Sequence, residues 1–190
     1  TREWAETASK ALTKTGAELV AVKNNPIDAV WEDQPQRSPE KLAVHSDQYA
    51  GKSARDKRTD VATWLNEKDY DATVIAALDS VAWFFNVRGK DIANTPVPLA
   101  YAIVRADETA TLFVAPEKLT DAVREHLGNH VEIRDYDELA DALSDMQGKT
   151  VAVDPERSVA AIFAALDKAG ATIVKDRDPT ILAKAIKNEA

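Results

Sequence analysis

The residues best suited to bind a ligand lie between positions 78 and 98. Arg88 stands beside Gly89, after an apolar aromatic segment that contains Trp83, and Asn94 follows shortly afterwards. A guanidinium is planar, always charged and able to donate paired hydrogen bonds, so it suits a carboxylate on a ligand or a neighbouring domain. An apolar helix that runs into a polar, glycine-containing turn can present such a group at the mouth of a pocket.

Two simpler interpretations of this segment remain open. Arg88 can form a surface ion pair with Asp91, and exposed pairs of this kind add little to stability. Trp83 can be a core residue with no part in recognition. The sequence does not decide between these alternatives and a binding role.

Other motifs are weaker candidates for chemistry. The segment 148–150 (Gly-Lys-Thr) matches the end of a phosphate-binding loop, but Leu143 occupies the place of that loop's first glycine. His126 and His130 have the spacing of metal ligands on a helix, but Gly128 between them is expected to end the helix. We therefore assign no metal ligand.

Five acidic residues between positions 135 and 145 resemble a carboxylate cluster. Three of them, Asp137, Asp141 and Asp145, share one face of a predicted helix. General acid–base catalysis requires carboxyl groups in a pocket that shifts their pKa values, and no apolar residues surround these. We expect a solvated helix face and assign no catalytic residue.

The elements that position these residues follow an α/β pattern. A helix, a glycine and a strand occur in that order four times, and glycine is the usual residue just past a helix end. A helix over 80–86, capped by Asp79, is predicted to follow a buried strand over 72–78. The other predicted strands are 17–22, 97–105, 109–114, 130–134, 149–153 and 171–175. Predicted helices cover 2–15, 116–127, 137–146 and 158–168. Another begins behind a Ser53 cap, with Val61, Trp64 and Leu65 on its apolar face, and a last one begins at Pro179 behind an Asp178 cap.

Composition limits the class of protein. The 190 residues carry a net charge of −8, which argues against nucleic acid or an anionic membrane as the main partner. No apolar run approaches the roughly 20 residues of a membrane span. The absence of cysteine excludes disulfides, thiolate metal sites and a cysteine nucleophile. Cytoplasm is the default location.

Several motifs, in chain order, resemble the three-domain Xaa-Pro aminopeptidases of the creatinase/prolidase N-terminal-domain superfamily. The resemblance covers the whole chain. The segments that carry it are 25–31 (NPIDAVW), 51–58 (GKSARDKR), 79–91 (DSVAWFFNVRGKD) with 95–99 (TPVPL), and 178–190 (DPTILAKAIKNEA).

The resemblance implies a fold and a division of the chain. The expected fold is a three-layer α/β sandwich with a mixed central sheet. Residues 1–31 would be the C-terminal piece of a first α/β domain, 32–51 a linker and 52–176 the middle domain. Residues 177–190 would begin a helix that leads to a catalytic domain absent from this sequence.

The resemblance also implies a function for a longer parent protein. Such parents remove the N-terminal residue from peptides with proline second, and use two divalent metals, typically manganese, in the catalytic domain. This chain would be non-catalytic, would form a homodimer through the parent, and would help wall the active-site mouth. Arg88, Trp83 and Asn94 are the hypothesised peptide-binding residues, although Asn94 stands where relatives often have His or Tyr.

Two other functions remain open. One is a free-standing binding or interaction module on the same scaffold. The other is the related hydrolysis of creatine, which the Trp31 and Arg88-Gly89 motifs make the weakest of the three.

Overall fold

The computed structural model describes residues 1–22 and 24–186, and its centre is a six-stranded sheet. The strand order is β6-β5-β4-β2-β7-β8. The helices are α1 (Arg2–Thr13), α2 (Asp47–Ala50), α3 (Ala54–Glu67), α4 (Leu78–Phe84), α5 (Asp121–Leu127), α6 (Leu139–Ser144), α7 (Ala160–Ala169) and α8 (Thr180–Ala185). The strands are β1 (Ala43–Val44), β2 (Ala72–Ile75), β3 (Val87–Arg88), β4 (Tyr101–Arg105), β5 (Ala110–Phe113), β6 (Val131–Arg134), β7 (Thr150–Val153) and β8 (Thr172–Lys175).

The sheet is mixed, as predicted. Strands β4 and β5 form an antiparallel hairpin, and β4 also pairs antiparallel with β2. The pairs β2–β7, β5–β6 and β7–β8 are parallel. The predicted strands 97–105 and 109–114 thus correspond to a hairpin, and the repeated helix–glycine–strand pattern supplies the parallel strands β6, β7 and β8.

Helices cover both faces of the sheet because its strands are apolar on both sides. Along β4, Ala102 and Val104 contribute to one core and Ile103 to the other, as the two-residue period of a strand requires. Helices α3, α4 and α5 bury their apolar residues on the first face, and α6 and α7 on the second. The three-layer α/β sandwich is therefore confirmed.

Most helix ends follow the predicted chemistry. Ser53 caps α3, since its Oγ accepts a hydrogen bond from the backbone N–H of Asp56 at 3.0 Å. Gly128, Gly148 and Gly170 all have positive φ angles, which permit the reversal between each helix and the next strand. Asp178 accepts from the backbone N–H of Thr180 at 2.8 Å, although α8 begins at Thr180 and not at Pro179.

Several predicted elements are wrong in extent or identity. Residues 17–22 form no strand; they are exposed, and the structure pairs them with no other strand in the part it describes. Helix α4 begins at Leu78, so Asp79 lies in its first turn and not at its cap, and the buried strand ends at Ile75. The strand predicted from Val97 begins only at Tyr101.

Two predicted helices are interrupted. The one over 116–127 is a 3-10 turn followed by α5, because the Thr120 side chain caps a new helix by accepting from the backbone N–H of Val123 at 3.2 Å. The one over 137–146 is a 3-10 turn followed by α6. The predicted continuation of α8 through 187–190 lies outside the described residues.

The first helix packs on the α/β sandwich. The backbone N–H of Arg2 donates to the carbonyl of Ser158 at 3.1 Å, and Glu6 pairs with Lys175 at 2.7 Å. The predicted linker contains ordered structure, since β1 within it pairs antiparallel with β3. Across the described ranges, no helix is both long and apolar enough to cross a membrane.

Candidate functional site

Arg88 lies on the short strand β3, immediately after the aromatic helix α4. Between helix and strand, Asn86 adopts a left-handed φ of 50°, a conformation that asparagine tolerates better than most residues. Strand β3 is held by the linker, because Ala43 is the register partner of Arg88. The position of Arg88 therefore depends on a turn and on a segment that is distant in sequence.

Gly89 allows the following loop to fold back on β3. A Cβ atom at this position would lie 2.8 Å from the backbone of Pro98 and 2.9 Å from the carbonyl oxygen of Val97. Such distances are shorter than any normal contact, so a larger residue would push the two backbone segments apart. The close approach brings the 95–97 segment next to Arg88.

The Arg88 guanidinium has no carboxylate partner among the described residues. Its Nη1 donates to two backbone carbonyls, of Val87 at 2.9 Å and Ala82 at 3.3 Å. Partial burial lowers the pKa of Arg88 from its usual value. The remaining guanidinium N–H groups are not used by any hydrogen bond within the described ranges, so they can donate to a ligand.

The Arg88–Asp91 surface pair, one of the alternatives from sequence, is not formed. Asp91 instead pairs with Lys118, and both side chains are at most 2% exposed. The second carboxylate oxygen of Asp91 accepts from the backbone N–H of Leu99 at 2.6 Å. These contacts fix the loop that follows Arg88. Because Asp91 is used in this way, the Arg88 side chain is not paired with it and can bind a ligand.

Arg88 and Trp83 line one open cavity of about 520 Å³. Arg157 and Lys184 also line it, and Asp79 is its one carboxylate among the described lining residues. Lys184 pairs with Asp79 and donates to the hydroxyl of Ser80 at 2.9 Å. Partial burial raises the pKa of Asp79, but the hydrogen bond and charge of Lys184, the charge of Arg157 and the backbone N–H of Ser80 together outweigh it, and the net shift is downward.

The charge balance of the cavity favours an anion. Its one acid is paired with Lys184, whereas Arg88 and Arg157 have no carboxylate partner in the part of the chain that the structure describes. Two such guanidinium groups beside an indole ring suit a carboxylate attached to an apolar group. The cavity can bind such a group, and its lining residues within the described ranges include no paired nucleophile and base.

Asn94 is not brought into this cavity. It is exposed, with a left-handed φ of 61°, in the turn closed by the bridge between Ile92 and Thr95. Thr95 and Pro96 line the cavity in its place. The structure thus brings together two of the three residues predicted from sequence.

Metal binding has no support from side-chain positions in the described ranges, which contain no cluster of three or more His, Asp or Glu residues suited to a metal ion. His126 Nε2 lies 2.8 Å from the carbonyl oxygen of Phe85, and His130 is exposed beyond the end of α5. The acidic side chains of Asp137, Asp141 and Asp145 lie on the surface.

Sequence reasoning missed four residues around the site. Arg157 and Lys184 come from distant positions and gave no local signal. Lys57 is buried on α3, and the signal was present: it precedes the core residues Val61 and Leu65 by multiples of four, so it lies on the apolar face of the helix. Lys118 was hidden by the incorrect prediction of a continuous helix.

Comparison with known protein families identifies the family of this chain. The family profile of the creatinase/prolidase N-terminal domain matches residues 33–190. The chain belongs to this family.

Relatives and a solved structure extend the comparison. A probable Xaa-Pro aminopeptidase P of Aspergillus clavatus is 41% identical, over 98% of this chain and 30% of its own length. One from Paracoccidioides brasiliensis is 38% identical, over 97% of this chain and 32% of its own length. The X-prolyl aminopeptidase of Caenorhabditis elegans, described as a cytosolic enzyme with a di-nuclear active site, superposes with a TM-score of 0.88 at 26% identity.

The chain covers only part of the length of these proteins. The C. elegans structure covers all of this chain, but this chain covers 32% of that protein. This creatinase/prolidase-type chain therefore spans about a third of the length of the relatives it matches. The family resemblance inferred from the sequence is confirmed.

Proposed function

We propose that this chain is a non-catalytic N-terminal and middle portion of a metal-dependent Xaa-Pro aminopeptidase, and that it shapes the mouth of the active site. The observation that carries the proposal is the cavity at Arg88, which offers guanidinium groups to a ligand but contains no catalytic group. The relatives are aminopeptidases about three times as long as this chain. The substrate would be a peptide with proline in second place.

The two metal ions of such an enzyme do not fit the residues of this chain. The part of the chain that the structure describes has no cluster of His, Asp or Glu able to hold even one ion. We therefore assign no step of peptide hydrolysis to these residues. The contribution of this chain would be to bind and orient the peptide at the mouth of the active site. The catalytic domain of the parent would hold the manganese.

Arg88 and Trp83 are the residues proposed to contact the peptide. Arg88 is available because Asp91 is occupied by Lys118, and Trp83 lines the same cavity. A guanidinium that donates to a peptide carboxylate would favour substrates whose carboxylate reaches the cavity while the scissile bond lies in the active site. Asn94, exposed outside the cavity, would contribute at most through the outer part of the same loop.

Kinetics of the longer protein test this role. In a full-length enzyme supplied with manganese, we expect Arg88→Ala to lower kcat/KM for peptides that reach the cavity by about tenfold or more, because a charge-assisted hydrogen bond is lost. Arg124→Ala, at an exposed position on α5, is the matched control. Unchanged kcat/KM for both short and long Xaa-Pro peptides would refute the proposal for Arg88.

The 190-residue chain provides a second test. It should release no N-terminal residue from an Xaa-Pro peptide in the presence of manganese, whereas the full-length protein should. Activity of the short chain would overturn the whole assignment, and inactivity of both would favour the free-standing binding module. Sedimentation of the full-length protein would test the proposed homodimer, and cell fractionation the proposed cytoplasmic location.

A further inference from the structure

Lys57 is a buried cation whose hydrogen bonds all go to uncharged groups. The residue is 1% exposed on α3, yet it makes no ion pair with any described residue. Its Nζ donates to the backbone carbonyl of Trp83 at 2.8 Å and to the side-chain oxygen of Asn86. The same nitrogen lies 4.0 Å from the centroid of the Trp83 ring. One ammonium group therefore holds the backbone and the ring of Trp83 together.

Asn86 extends this arrangement to the strand that carries Arg88. Its side-chain nitrogen donates to Asp47 Oδ1 and to the carbonyl of Lys52, both at 2.9 Å. Its backbone carbonyl accepts from the N–H of His45 at 2.7 Å. Arg88 follows two residues later, so the left-handed turn at Asn86 sets the direction in which β3 leaves α4.

The charge of Lys57 is costly where it stands. Removing an ammonium from water without a carboxylate partner is unfavourable, and an apolar side chain of the same length would fill the space without that cost. The pKa of Lys57 is lowered to about 8, chiefly by burial and then by the charges of Arg88 and Lys52, whereas the charge of Asp47 opposes the shift. The stability of the fold does not explain a cation here, whereas the groups that the ammonium holds in place do.

We propose that Lys57 is the positioning residue of the peptide-binding wall: its ammonium fixes Trp83 and the Asn86 turn so that Arg88 faces the cavity. This inference rests on the proposed function, and it adds a residue that would not touch the substrate. Lys57 acts at the end of α4, where its ammonium and the backbone N–H of Asn86, at 3.3 Å, both donate to the carbonyl of Trp83.

Fluorescence of Trp83 tests the local part of the proposal in the 190-residue chain. The difference spectrum between the chain and Trp83→Phe isolates this indole from the other three tryptophans. We expect it to titrate with a midpoint near pH 8, where Lys57 loses its proton and the cation–π contact disappears. Lys57→Met should abolish the titration, because methionine fills a similar volume without charge.

Two further variants keep the test decisive if Lys57→Met folds poorly. Asp47→Asn should move the midpoint to lower pH, because it removes the carboxylate that favours the charged lysine and retains an oxygen able to accept from Asn86. Lys68→Met removes an exposed lysine from the Trp64 ring, 5.1 Å away, and should leave the Trp83 titration unchanged. A Trp83 signal that does not titrate, or that titrates equally in Lys57→Met, would overturn the proposal.

Kinetics of the full-length enzyme test the functional part. Lys57→Met should raise KM as Arg88→Ala does with little change in kcat, and the double variant should be no worse than Arg88→Ala alone. Additive effects would contradict a role through Arg88. If Arg88→Ala has no effect but the Trp83 titration depends on Lys57, the proposed function fails and the local contact stands, so the two failures are distinguishable.

Discussion

The two faces of the central sheet are packed by different kinds of residue. On the face covered by α3, α4 and α5, the core surrounds buried polar groups, among them Lys57, Asn86 and Lys118. On the face covered by α6 and α7, apolar side chains surround Thr111, which the two-residue period of β5 places there and which carries no charge. Both buried lysines lie on the face that carries the Arg88 loop. We infer that one face shapes the site and that the other supplies apolar packing.

The largest expected effect comes from breaking the buried ion pair on the polar face. Asp91→Ala leaves Lys118 charged and unpaired in a dry environment, which should lower the free energy of unfolding by about 3–5 kcal/mol. Urea denaturation would measure the change. The double variant Asp91→Leu/Lys118→Met should recover most of the stability but not the binding function, because Leu99 loses its carboxylate partner. Recovery of both would show that the pair has no role in shaping the loop.

The apolar face provides the matched comparison. Leu166→Ala on α7 removes a fully buried side chain and should cost about 2–5 kcal/mol through lost burial and an unfilled cavity. It should leave the Trp83 titration unchanged at a temperature where the protein is folded. A shifted titration in this variant would contradict the division between the two faces.

A smaller effect is expected from the close approach within the loop. Gly89→Ala places a methyl group 2.8 Å from the Pro98 backbone and should cost about 1–3 kcal/mol, since backbone and not a flexible side chain must move. Gly148→Ala is the control: its added Cβ meets nothing within 4 Å, although its positive φ carries a backbone cost of its own. If Gly89→Ala left the KM of the full-length enzyme unchanged, the loop would be too far from the substrate to matter.

The smallest change in the free energy of unfolding is expected from an exposed ion pair. Asp137 and Arg37 form a pair at 3.3 Å in which both side chains are more than half exposed. Asp137→Ala should change the free energy of unfolding by less than about 1 kcal/mol, because solvent and salt screen the attraction. Thermal unfolding at low and high salt would detect it. A larger loss would mean that the linker depends on this contact more than its exposure suggests.

The sequence predicted well what depends on neighbouring residues. Helix ends at Gly128 and Gly170 follow from the conformational freedom of glycine, whereas α6 ends at Ser144 and Gly148 lies in the turn after it; strand β2 follows from a short apolar run. Both signals are local. They were sufficient for the order of elements, the mixed sheet and the three layers.

Predictions failed where the outcome depends on a distant partner. Residues 17–22 have strand-forming side chains, but a strand also needs a neighbour to accept its backbone hydrogen bonds, and the described residues place none beside them. Asp79 was expected to cap a helix, but it pairs with Lys184, more than 100 positions away. The spacing of Lys57 from Val61 and Leu65 indicates a buried helix face, but no local signal identifies the distant oxygens that the ammonium groups of Lys57 and Lys118 contact.

The pairing of β2 with β7 has a consequence for how the chain folds. Strand β2 ends at Ile75, and its parallel partner begins at Thr150, whereas the β4–β5 hairpin joins residues only a few positions apart. Contacts between distant residues pay a larger loop-closure entropy and form late. During synthesis the hairpin can form early, but one edge of β2 stays open until residue 153 has been made. In that interval β2, whose four residues are all buried in the folded protein, is exposed to other chains, and exposed strand edges of this kind favour aggregation of a nascent chain.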